Sequence, residues 1–188
     1  KILFHGEFKF FLIAVLIFTI GNSSDAFLIL ALKDSGISMG WISILWSLHH
    51  VIKMISTYFG GLASDRISHK KMIGMGWLLY SVIYLALGFF QTSIFTVVLF
   101  LIYGVYFGFV ESAERSLIAK TVDQGNRGLA YGCFHLISAI GLLPASLIFG
   151  YLWHAFGRGY AFYFGALCAM VATFLLIIAS TLNNFKKV

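Results

Sequence analysis

Asp25, His49, His50 and Lys53 are the residues of this sequence whose chemistry most needs explaining, because each lies within a long, predominantly apolar segment. A charge held in a hydrocarbon interior costs at least about 2.5–3.5 kcal/mol, so a carboxylate, two imidazoles and an ammonium there need a partner, a wet cavity or a function. Trp46, His49, His50, Lys53, Ser56, Thr57, Gly60 and Gly61 recur at helical spacing and draw one polar, small-residue stripe down an otherwise apolar segment. Thr19, Asn22 and Asp25 do the same in the preceding segment. Antiparallel counting at about 1.5 Å per residue sets Asp25 and His49 at one depth, roughly 20 Å from the cytoplasmic edge. Asp25 is therefore expected to pair with a histidine or with Lys53. Two readings stay open, a hydrogen-bonded staple between helices and a site that handles solute or protons. Glu111 precedes Arg115 by four residues, the favourable order for an intrahelical ion pair, and is also a site candidate. His135 is read as a packing residue or a ligand.

These residues belong to a chain that no water-soluble fold would hide. Of its 188 residues 60% are hydrophobic and 11% charged, with mean hydropathy +0.93, where soluble domains carry about 25% charged residues. Apolar runs predict spans at Phe10–Leu32, Trp41–Ala63, Met72–Phe90, Ile94–Ile118, Gly128–Trp153 and Tyr160–Leu182. Such continuous runs read as helices, since a barrel strand would alternate. The first run continues past Ile20 without a cleavage site and is read as a retained span. The chain opens on Lys1, which leaves room for a longer protein around it.

Lys1, Lys9, Arg66, Lys70, Lys71, Arg115, Lys120, Arg127, Lys186 and Lys187 fall on one side of the spans, Lys33 and Arg158 on the other. Both termini are therefore expected in the cytoplasm, in a plasma or inner membrane. The net charge of +6 is explained by these loops, and nucleic acid is not an expected partner. Cys133 and Cys168 form neither a disulfide framework nor a metal motif, and no metal or cofactor is expected. Ionisable residues occupy spans one, two, four and five and avoid three and six. That period of three suggests a three-plus-three inverted repeat, 1–93 and 94–188, with spans three and six facing lipid. The pairs Gly104/Gly108 and Gly128/Gly132 predict close helix contacts, and Pro144 predicts a kink.

The loop after the second span reads Gly61-Leu-Ala-Ser-Asp65-Arg66-Ile-Ser68-His69-Lys70-Lys71. It resembles the signature of the major facilitator superfamily, in which a glycine precedes Asp-Arg by four and five residues and a basic cluster follows. Ser68 stands for the usual glycine and His69 for a usual basic residue. The resemblance implies an all-α integral membrane bundle of about six helices, one half of a major facilitator fold, with Gly61, Asp65, Arg66, Lys70 and Lys71 as a conformational latch. Gly108-Phe-Val-Glu111-Ser-Ala-Glu114-Arg115 and the run from Arg127 through Gly150 look like the carboxyl-terminal half. Implied with it are alternating access of a small solute, partners in the lipid bilayer and a second six-helix half, in the same chain or another, and a cavity lined by spans one and four. Proton coupling and facilitated diffusion both fit. A membrane scaffold or receptor on the same fold is the alternative; an intramembrane enzyme would need a motif such as HExxH or GxSxG, which the sequence lacks.

Overall fold

The computed structural model describes residues 7–185, with side chains over 8–178; Lys1, Lys186 and Lys187, used for the orientation above, lie outside that range. Among the described residues seven α-helices follow one another: α1 Glu7–Gly21, α2 Ala26–Asp34, α3 Met39–Ser64, α4 His69–Phe89, α5 Ser93–Thr121, α6 Arg127–Phe156 and α7 Arg158–Phe185. A 3-10 turn, Gln124–Asn126, leads into α6. Among the described residues five segments are long and apolar enough to cross a membrane, the first of them Phe8–Asp34. The sixth crossing is α3, whose 26 residues reach about 39 Å against a hydrocarbon core of about 30 Å, and which carries the polar stripe.

The first span departs from expectation, because it is two helices rather than one. Asn22, Ser23, Ser24 and Asp25 separate α1 from α2. Four short polar side chains in sequence offer the backbone alternatives to helical bonding, and Ser24 Oγ takes the amide of Ala26 at 3.3 Å. The carbonyl of Gly21 is taken by the Tyr80 hydroxyl of α4 at 3.1 Å, so the break is satisfied from a neighbouring helix.

In space the helices neighbour one another in the order α3, α5, α4, α7, α1, α6, an open arc with α3 and α6 at its ends. Part of this order repeats along the chain: α3 on α5 has its counterpart in α6 on α1, α4 on α5 in α7 on α1, and α4 meets α7, whereas α6 also packs on α7 and α3 makes no comparable contact with α4. The core is aromatic, with Phe18 stacked on Trp77 at 4.9 Å and Tyr80 on Tyr84 at 3.9 Å. Spans three and six, α4 and α7, hold much of this core on one side and present apolar residues such as Leu78, Val82, Leu167 and Phe174 outward.

Small residues set the closest crossings. A Cβ on Gly108 would stand 2.4 Å from the Ser56 carbonyl oxygen, and one on Gly60 would stand 1.7 Å from that of Gly108. The Gly104/Gly108 pair thus seats α3 on α5. Gly128 and Gly132 do not behave as expected, since nothing lies within 4 Å of a Cβ at either. Their face of α6 turns away from the described bundle. Pro144 sits within an unbroken α6. That helix ends at Gly157, where φ is +96° and the amide bonds to the Trp153 carbonyl at 3.0 Å; α7 begins at the next residue. Only glycine takes that backbone region without strain.

Candidate functional site

The interruption of the first span turns polar groups toward the concave side of the arc. Asp25 follows three short polar residues, and its carboxylate accepts a hydrogen bond from the Tyr103 hydroxyl of α5 at 3.1 Å. Tyr103 is fully buried, held between the His49 ring at 5.5 Å and Tyr106 at 5.6 Å. An open cavity of about 540 Å³ lies against Asn22, Asp25, Trp46, Tyr103, Phe107 and Leu142. A second, of about 280 Å³, continues from Asn22 and Leu142 to Thr19, Tyr106, Glu114 and Ser138. Asn22 lies where the two meet, and its carboxamide oxygen is buried without a hydrogen-bond partner.

The expected pairing of Asp25 with a histidine or Lys53 is replaced by other contacts. His49 is 1% exposed, and its Nδ1 lies 3.1 Å from the Phe100 carbonyl oxygen, with the ring stacked on Phe100 at 4.8 Å. Lys53 Nζ stands 3.6 Å from the Phe107 ring centroid, a cation–π contact at short range. His50 turns outward, its Nδ1 2.9 Å from the Trp46 carbonyl one turn back. Shared depth was legible, but rotation of α3 about its axis gives its charged groups to the rings of α5.

Glu111 accepts from Arg115 at 3.3 Å and, more weakly, from the Thr57 hydroxyl at 3.5 Å, which ties α5 to α3. His135 is exposed on α6, its ring 5.2 Å from Phe134, and lines neither cavity.

The candidate latch lies at the other end of α3. Asp65 is the C-cap residue of α3, exposed, and makes no cap on α4, whose N-cap is Ser68. A carboxylate at the carboxyl end of its own helix meets the unfavourable end of the dipole. Gly61 is open, while its neighbour Gly60 makes the tight crossing. Lys70 and Lys71 stand on the first turn of α4.

The profile of the Major Facilitator Superfamily matches residues 10–186. The chain belongs to the major facilitator superfamily. Among curated proteins it is similar to an uncharacterised MFS-type transporter of Methanocaldococcus jannaschii, 26% identical over 177 residues, and to the multidrug resistance protein MdtG of Proteus mirabilis, 28% identical over 159. These matches take in 91% and 85% of this chain but 44% and 39% of the relatives. The chain thus spans less than half the length of the curated relatives it matches. For a major facilitator chain of this extent the open arc, with one side of α3 and of α6 uncovered, is the shape of a half.

Three residues of this major facilitator half were missed from sequence. Glu114, three residues beyond Glu111 on α5, reaches the smaller cavity. Tyr103 was passed over because aromatic residues are common in spans and the nearest ionisable residue on α5, Glu111, stands about two turns further on, so nothing local marks it. Arg158 was read only as a loop charge. It is buried, donating to the Ala31 carbonyl at 3.1 Å and the Thr96 hydroxyl at 2.9 Å, with Phe162 beneath it. Its position on the side where basic residues are scarce was the available clue.

Proposed function

We propose that the complete protein is a secondary transporter that moves a small solute by alternating access, and that this chain supplies one of its two six-helix halves. The observation that carries the reading is the interrupted first span: Asn22 and Asp25 line a cavity of about 540 Å³ at a discontinuous helix. Irregular backbone at membrane depth is tolerated where it lines a cavity, and transporters use such breaks to bind solute. The second half belongs to the same polypeptide or to a partner chain and would close the arc over α3 and α6. The partial repetition of helix neighbours supports 1–93 and 94–188 as inverted repeats. Asp65, Arg66, Lys70 and Lys71, with Gly61, serve as the latch; the unfavourable position of Asp65 on its own helix suits a carboxylate whose partner changes as the halves rock.

The solute is amphipathic in this reading, since Trp46, Tyr103 and Phe107 surround a single lining carboxylate. The relative named for multidrug resistance makes lipophilic cations the first probes. Proton coupling fits two carboxyl groups on one continuous path, Asp25 in the larger cavity and Glu114 in the smaller. The complete protein in sealed vesicles should move such a cation, faster under a pH gradient, and Asn22→Leu with Asp25→Asn should abolish the movement. Full transport by that double variant would refute the site. Both termini are cytoplasmic in this arrangement, in a plasma or inner membrane.

A further inference from the structure

A third cavity lies away from the central one, between the outer helices α4 and α7, and encloses about 450 Å³. We propose that it holds one anionic phospholipid of the cytoplasmic leaflet, with the phosphate on Lys70 and Lys71 and one acyl chain along Gly74, Leu78 and Leu176. The furrow is chemically divided along its length. Two cations mark one end, on the first turn of α4, where helix amides also favour an anion. Below them the lining is apolar: Gly74 contributes no side chain, and the Thr173 hydroxyl is already donated to the Ala169 carbonyl at 2.8 Å. Among the described residues no acidic side chain lines the furrow.

Dimensions and placement match the occupant. From residue 70 to 78 the helix advances about 12 Å, within the roughly 15 Å that one leaflet contributes to a hydrocarbon core of about 30 Å. Met75 and Leu78 are half exposed along the furrow, so it opens sideways to lipid rather than toward the solute cavity. The charged end is the one that the bias of basic residues assigns to the cytoplasm, whose leaflet carries the anionic lipids. A soluble phosphate compound would use the lysines and leave the apolar furrow unexplained.

The test is native mass spectrometry of the complete protein in detergent, titrated with phosphatidylglycerol, with phosphatidylcholine of the same acyl chains, and with glycerol phosphate. One phosphatidylglycerol should be retained in preference to phosphatidylcholine. Each basic residue strengthens attraction to an anionic lipid surface about fivefold, so Lys70→Gln with Lys71→Gln should weaken retention by roughly 25-fold. Gly74→Leu fills the furrow and should weaken it as well; if that variant melts early, Leu78→Trp obstructs the same space from its exposed edge. Equal retention of the two lipids overturns the proposal. So does loss on lysine substitution with no effect of filling the furrow, or glycerol phosphate competing as strongly as the lipid.

Discussion

Replacing Gly60 by alanine tests whether the α3–α5 crossing sets the geometry of the cavity. The added Cβ would stand 1.7 Å from the Gly108 carbonyl oxygen and 2.5 Å from its carbon, where ordinary contact begins at 3.4 Å. Both obstructing atoms are backbone, so no rotamer can absorb the overlap, and the helices must part by roughly 1.7 Å, the shortfall between those distances. A gap of about 0.5–1 Å already forfeits a quarter to a half of the dispersion energy across it, and overpacking typically costs about 1–3 kcal/mol. Each kcal/mol lowers a melting temperature by about 2–4 °C for a unit of this size, and by about half as much in a protein twice as long, because the unfolding entropy grows with length. A loss of roughly 1–6 °C is expected in a detergent thermal melt of the complete protein. Transport should fall too, because Lys53 and His49 ride on α3 while Phe107 and Tyr103 ride on α5. Gly74→Ala is the control: its Cβ meets nothing closer than Thr173 at 3.9 Å, and better helix propensity should hold or raise the melt. Equal melting of the two variants would refute the argument that this crossing is limited by backbone contact.

Tyr103→Phe removes the donor to Asp25, a hydrogen bond to a charged group worth about 1.5–3 kcal/mol, so uptake efficiency should drop about 10- to 100-fold. Adding Asp25→Asn should cost less than the product of the two single effects, and strict additivity in the cycle would separate the residues. Arg158→Met leaves the Ala31 carbonyl and Thr96 hydroxyl without their donor and should lower the melt by several degrees; an unchanged melt would show that the staple is dispensable. Asp65→Asn should slow turnover while leaving the order of competing solutes unchanged, and a changed order would bring the loop into contact with solute. Ser68→Cys should react with an impermeant thiol reagent only from the cytoplasmic face, and exclusive labelling from outside would invert the topology.

What the sequence made legible follows the range of the interactions. Span positions and the α3 stripe are local, written in runs and spacings within one helix, and the i, i+4 pair of Glu111 and Arg115 is local too. Lys53 and Asp25 have partners that depend on how α3 and α5 are rotated about their axes, which no spacing within either helix records. The choice of Gly60 over Gly61 as the crossing residue has the same origin: both lie on the stripe, and only the seat of α3 against Gly108 distinguishes them. The break at residues 22–25 was within reach, because four adjacent short polar residues signal it, but the continuous hydropathy on either side masked it. Arg158 stayed hidden because its acceptors, Ala31 and Thr96, are distant in the chain.

The one-residue connection at Gly157 has a mechanical consequence. A joint that short contains no slack, so α6 and α7 act at that end as two arms of a lever with a shared fulcrum. When α6, at the open end of the arc, is tilted, the first turn of α7 must travel with it. That turn begins with Arg158, whose guanidinium grips the last turns of α2 and the first turn of α5. Motion imposed on the outermost helix is thereby delivered to both helices that carry the Asp25–Tyr103 contact, without passing through the aromatic core.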